Sequence, residues 1–102
     1  MARRPTLQRV LRILRGRSAE LRRRGIKHAA VFGSAVRGEL TANSDVDILV
    51  TLDPVAKLDA FAYAGIIADI QNWVGRRVDL ARRDKLKAHV RPQALKEAVR
   101  AF

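Results

Sequence analysis

Ser44-Asp45-Val46-Asp47-Ile48-Leu49-Val50 is the stretch on which the reading of this chain turns. A mostly apolar, β-branched run with acids at alternate places reads as a strand. Alternation then puts Asp45, Asp47 and Leu49 on one face and Val46, Ile48 and Val50 on the other. At a rise of about 3.3 Å per residue, the two aspartate Cα atoms lie about 6.6 Å apart, so both carboxylates can converge on one or two divalent cations. Without a cation they repel, which makes the pair costly. An isolated Asp-x-Asp also serves as a turn or helix-capping pair, so this run does not decide the chemistry by itself.

Ten residues separate Asp45 from an upstream Gly33-Ser34 pair. Glycine lets the backbone approach a phosphate closely, and the Ser34 hydroxyl with the amides of the following helical turn can donate to it. Taken alone, Gly-Ser is a common turn. Downstream, Arg77-Val78-Asp79-Leu80-Ala81 is a short strand in which Asp79 is a lone acid among apolar residues. An unpaired carboxylate buried there would be expensive, so it needs a cation or a salt bridge to Arg76, Arg77 or Arg82. Two acids, a third acid and a Gly-Ser turn point to metal-dependent nucleoside triphosphate chemistry, where two cations clamp the attacking and leaving oxygens of an in-line displacement.

Around these motifs, Leu7, Val10, Leu11, Leu14 and Leu21 recur at helical spacing, predicting a helix over Thr6–Arg24 with Pro5 near its start and Gly25 beyond its end. Ile26–Phe32 reads as the first strand, Ala35–Glu39 as a helical turn capped by Ser34, and Asp45–Leu52 as the second strand, broken by Asp53-Pro54. Leu58–Val74 reads as a buried helix containing Phe61, Ile66, Ile67, Ile70 and Trp73, stopped by Gly75. Arg77–Ala81 is the third strand, and a last helix is expected over Gln93–Ala101. The fold class is therefore α/β (α+β), a small mixed β-sheet of about three strands flanked by helices. Strands one and two should be antiparallel, which brings Gly33-Ser34 and Asp45 to one edge, and strands two and three parallel across a crossover helix.

The 102 residues predict one domain: a basic amphipathic helix over 1–25, a catalytic core over 26–81 and a C-terminal helical segment over 82–102. An acceptor must then be small or brought by a partner. With no cysteine there is neither a disulfide framework nor a thiolate metal site, and a reducing cytoplasm is the expected location. No apolar run approaches the length of a membrane span. The formal charge of +11 is concentrated in the first 27 residues. Such a surface attracts nucleic acid, nucleotides and acidic proteins alike. The Arg-rich start also has the look of an organellar targeting peptide, against which stands an apolar face suited to a folded core.

With these residues in view, the chain resembles the minimal nucleotidyltransferases of the DNA polymerase beta-like superfamily. The match lies in Val31-Phe32-Gly33-Ser34-Ala35-Val36-Arg37-Gly38, Asn43-Ser44-Asp45-Val46-Asp47-Ile48-Leu49-Val50 and Arg77-Val78-Asp79-Leu80, within Ile26–Ala81. Small stand-alone members look like the antitoxin half of HEPN/minimal-nucleotidyltransferase toxin-antitoxin pairs. The resemblance implies a nucleotidyltransferase fold and the use of ATP and Mg²⁺, with two ions expected, to transfer AMP to a tyrosine of a HEPN ribonuclease toxin. It implies that Gly33 and Ser34 hold the triphosphate, helped by Arg37, that Asp45 and Asp47 bind the metals, and that Asp79 is third ligand and base. Members often carry an aromatic at or beside the place of Val36, a departure that touches only nucleotide contacts.

Two other readings are compatible with the residues. One is a non-catalytic basic antitoxin or nucleic-acid-binding module acting by occlusion, against which the three acids weigh. The other is an RNA-directed nucleotidyltransferase, for which no recognition domain is visible. His28 and His89 lack a second histidine at ligand spacing and are read as packing or exposed residues. Trp73 and Phe61 are read as core, and Tyr63 as packed rather than as a modification target.

Overall fold

The structure, a computed structural model, describes residues 5–102. Helices α1 (Pro5–Gly16) and α2 (Ser18–Arg23) replace the single helix expected over Thr6–Arg24. The break follows Gly16, a weak helix former, and Arg17 shares its N–H between the carbonyls of Ile13 and Leu14. The apolar stripe survives it: Leu7, Val10, Leu11, Leu14 and Leu21 are all buried. The first four residues of the basic segment lie outside the described residues.

Strand β1 (Ile26–Phe32), the single turn α3 (Ser34–Arg37) and β2 (Val46–Leu52) follow in the expected order, but α3 starts one residue earlier and ends two earlier than the expected Ala35–Glu39, at the left-handed Gly38, and Asp45 falls just before β2. Helix α4 (Ala60–Val74) starts two residues later than predicted because the Asp59 side chain caps it, accepting the Ala62 N–H at 2.8 Å. Gly75, at φ 77° and ψ 21°, supplies the left-handed residue that ends it. Next come β3 (Val78–Arg82), a 3-10 turn over Arg83–Lys85, helix α5 (Arg91–Glu97) and strand β4 (Val99–Arg100).

The C-terminus departs most from the sequence reading. The helix expected over Gln93–Ala101 stops at Glu97, and Val99 and Arg100 pair antiparallel with Val31 and Ala30 of β1. Ala101 N–H adds a bond to Ala29 O at 2.8 Å. The sheet therefore has four strands, ordered β3-β2-β1-β4, not three. An open β1 edge carries unpaired backbone groups, and closing it outweighs one more helical turn.

β1 and β2 are antiparallel and β2 and β3 parallel. One sheet face, with Val31, Val46, Ile48, Val50, Val78 and Leu80, packs on α1, α2 and α4 through residues such as Leu14, Leu21, Ile66 and Ile70. Phe61, expected in this core, is 90% exposed. It lies about 140° around the helix from Ile66, off the buried stripe of Ile66, Ile70 and Val74. Trp73 packs against the core, and the Arg17 guanidinium lies 4.4 Å from its ring centroid. Among the described residues, no helix is long and apolar enough to cross a membrane.

Helix α4 also seals the outer edge of β3. The Gln71 carboxamide oxygen accepts the Val78 N–H at 3.1 Å, and the Tyr63 hydroxyl donates to Leu80 O at 2.7 Å. Tyr63 is thus packed, as the sequence reading had it, and burial pushes its hydroxyl pKa up. Tyr63→Phe should cost about 1 kcal/mol of unfolding free energy, read by urea denaturation, because Leu80 O loses its donor.

Candidate active site

Strand pairing assembles the site. Asp47 is the register partner of Phe32 on β1 and of Asp79 on β3. Neighbouring strands run about 4.8 Å apart, so Asp47 and Asp79 stand side by side on one sheet face. Gly33, directly after Phe32, has φ 74° and ψ −148°, a region that is essentially glycine's alone. A Cβ there would sit 2.2 Å from Asp47 Oδ2. Glycine is required both by its backbone angles and by the carboxylate against it.

Gly33, not Ser34, is the N-cap of α3, and no side chain caps this turn. Ser34 was expected to cap it; instead Ser34 is the first helical residue, which leaves its hydroxyl uncommitted to the cap. Arg37 follows at the end of the same turn.

The Asp47 carboxyl is held above its ordinary value of 3.8, first by burial and then by the charges of Asp79 and Asp45; Glu97 adds to this and Arg37 opposes it. Asp79 itself is exposed, and among the described residues it makes no ion pair. The cost of keeping it is therefore repulsion from its neighbour, not the desolvation expected from the sequence. None of the three arginines considered as its partner is one. Arg77 pairs with Asp45 at 3.0 Å, Arg82 with Asp84 at 2.9 Å, and Arg76 donates to the carbonyls of Thr41 and Ser44.

Among the described residues, no three His, Cys, Asp or Glu side chains are grouped closely enough to hold a metal ion as they stand. The donor set nevertheless fits a hard divalent cation: all-oxygen carboxylates that repel one another and depress the acidity of Asp47. Asp45 is the one already engaged by a cation of the chain. Its pair with Arg77 is open to water, the two side chains being 45% and 70% exposed, so breaking it costs at most about 1 kcal/mol.

A cavity of about 390 Å³ opens beside these residues, walled by Gly33, Arg37 and Asp47 together with His89, Gln93 and Glu97. The sequence reading passed over the last three. His89 had been set aside as packing or exposed; it is exposed and stands on the cavity wall. Glu97 is the more consequential omission: its Oε1 accepts the Gly33 N–H at 2.9 Å, and Arg37 Nη1 donates to both its oxygens at 3.0 Å. Its one visible signal was rarity, since Asp84 and Glu97 are the only acids from Arg82 onward. His28 lies elsewhere, against Arg100. A second, more basic cavity of about 510 Å³, with Lys57, Arg82, Arg83 and Arg91 on its wall, lies at the C-terminal ends of β2 and β3.

The family description "Nucleotidyltransferase domain" matches residues 11–101. The chain belongs to this nucleotidyltransferase family. It is an enzyme of that class, and its four-stranded mixed sheet with flanking helices is the nucleotidyltransferase fold. The nucleotidyltransferase is 37% identical over 95 residues to the protein adenylyltransferase MntA of Thermococcus cleftensis, covering 92% of this chain and 94% of that protein. It matches a solved minimal nucleotidyltransferase with a TM-score of 0.71 and 31% identity, over 87% of this chain and 93% of that one. A likeness in fold alone, at TM-score 0.62 and 17% identity over 90% of this chain and 71% of the other, extends to a complex of tri-AMPylated Shewanella oneidensis HEPN toxin with MNT antitoxin.

Two stability measurements check this geometry. Gly33→Ala should lower unfolding free energy by about 1–3 kcal/mol, since alanine must occupy a glycine-only conformation. Asp47→Asn should raise the melting temperature at pH 7 in chelator-treated buffer. Because the fold raises this carboxyl's pKa, its penalty is absent below the unfolded value of 3.8, grows as pH rises through it and is complete above the folded value. The advantage of Asp47→Asn should therefore shrink toward pH 3.

Proposed function

We propose that this nucleotidyltransferase transfers AMP from ATP to a tyrosine hydroxyl of a HEPN-type toxin, acting as the antitoxin of that pair. The observation that carries the reading is the register of Asp47 with Asp79 across β2 and β3, with Gly33 packed on Asp47 and Arg37 one turn away. The 37% identity to a protein adenylyltransferase supports protein as the acceptor class. The complex of an AMP-modified HEPN toxin with a protein of the same fold supports the partner.

In this reading Gly33 N–H, the Ser34 hydroxyl and Arg37 hold the triphosphate, and Asp45, Asp47 and Asp79 hold Mg²⁺. The cations supply neutralisation of the charge on the reacting phosphate and the pyrophosphate. The tyrosine oxygen forms a bond to the α-phosphorus, the bond from that phosphorus to the bridging oxygen breaks, and pyrophosphate leaves. Asp79 takes the tyrosine proton; it is exposed and, unlike the exposed Asp45, is held by no ion pair among the described residues, so it is open to an incoming acceptor. The whole chain works as one domain, with the acceptor presented by the partner. The basic cavity at the far ends of β2 and β3 and the arginines of α1 and α2 form a surface suited to an acidic protein or to the toxin's RNA.

The engagement of Asp45 by Arg77 favours one rival, neutralisation by occlusion without turnover. Incubating radiolabelled ATP with the protein and a HEPN-type toxin separates the two. Label should pass to the toxin with wild type and fall by roughly 100-fold or more in Asp47→Asn, the scale of losing one group that stabilises developing charge. Equal toxin neutralisation in cells by wild type and Asp47→Asn would leave occlusion as the function.

A further inference from the structure

Glu97 holds the two groups that, on the proposed function, bind the nucleotide's phosphates. Its Oε1 accepts the Gly33 N–H at 2.9 Å, and both oxygens accept from Arg37 Nη1 at 3.0 Å. A carboxylate on a backbone N–H and a guanidinium is held the way a phosphate is held. We infer that Glu97 is an intramolecular competitor for the triphosphate, a latch that occupies the phosphate cradle and sets how tightly the enzyme binds its nucleotide.

Three features separate this from an ordinary surface ion pair. The Glu97 side chain is only 17% exposed and lies on the wall of the site cavity, so its charge is directed into the space a nucleotide must enter. It also bridges two elements, since Gly33 caps α3 and Arg37 ends it whereas Glu97 is the last residue of α5. Moreover, α5 is lightly anchored: Ala94 is its one fully buried residue, and the chain beyond it is pinned independently by the pairing of β4 with β1. Withdrawing the carboxylate therefore requires side-chain rotation and leaves the core intact. A phosphate oxygen arriving at the Gly33 N–H must displace Glu97, since that single donor already serves its carboxylate, and Arg37, whose Nε is held by Glu39 at 2.8 Å, has its Nη1 taken up by Glu97 as well.

The inference rests on the proposed nucleotide site, and its test keeps the two apart. Binding of ATP with Mg²⁺, and of inorganic tripolyphosphate, is measured by titration calorimetry on the full chain for wild type, E97Q and E97D. A latch closed nine-tenths of the time weakens apparent affinity about tenfold, so E97Q should bind both probes about tenfold more tightly. E97D, one methylene shorter and unable to reach both donors, should bind more tightly than wild type even if E97Q does not fold. E97Q without ligand should also melt below wild type, because Arg37 loses the less exposed of its two ion pairs and keeps only Glu39. Equal or weaker binding by the folded variants overturns the latch and makes Glu97 a support for the cradle. If wild type still transfers label from ATP in that case, the proposed function stands without the latch. If no form binds either probe, both fall.

Discussion

Parallel pairing of β2 with β3 places two carboxylates in adjacent register positions, and the rest of the site follows from that constraint. Asp47 and Asp79 cannot separate without breaking the strand pairing that also buries Val46, Ile48, Val78 and Leu80. The hydrophobic face of the sheet thus holds together charges that repel on its other face. Native proteins keep such stored repulsion mainly where a function uses it.

The surrounding structure manages that repulsion unevenly. Gly33 leaves no room for a Cβ beside Asp47, Arg37 offsets part of the negative charge, and Arg77 pairs with Asp45. Glu97 adds a further negative charge while occupying the positive and donor groups nearest the cavity. Asp45, Asp47, Asp79 and Glu97, four of the ten acids of a basic protein, thus act on one another at one end of one sheet. Many of its cations lie on α1 and α2 and at the opposite end of β2 and β3. That polarity is the one the proposed function calls for, with cations and a polyphosphate at one end and a basic surface left at the other.

Local chemistry made much of this legible. Alternation of Val46, Ile48 and Val50 with acids identified both the strand and its buried face, and glycines marked the ends of β1 and α4. Reading failed where the outcome depended on distant backbone groups. The Gln93–Ala101 segment has no local reason to leave the helix at Glu97; it does so because β1 offers an edge to pair. Phe61 is apolar and lies in an apolar helix, yet the buried stripe is chosen by the sheet beneath and misses it.

By itself, the sequence determined the strands, the antiparallel and parallel pairings and the common face of Asp47 and Asp79, because periodicity and residue type act over a few positions. Only the tertiary structure decided the fourth strand, the partner of each arginine and the placing of Glu97, Gln93 and His89 on the cavity wall. Those depend on which donors and acceptors remain open once the sheet and helices have packed, and that sum runs over residues far apart in the chain.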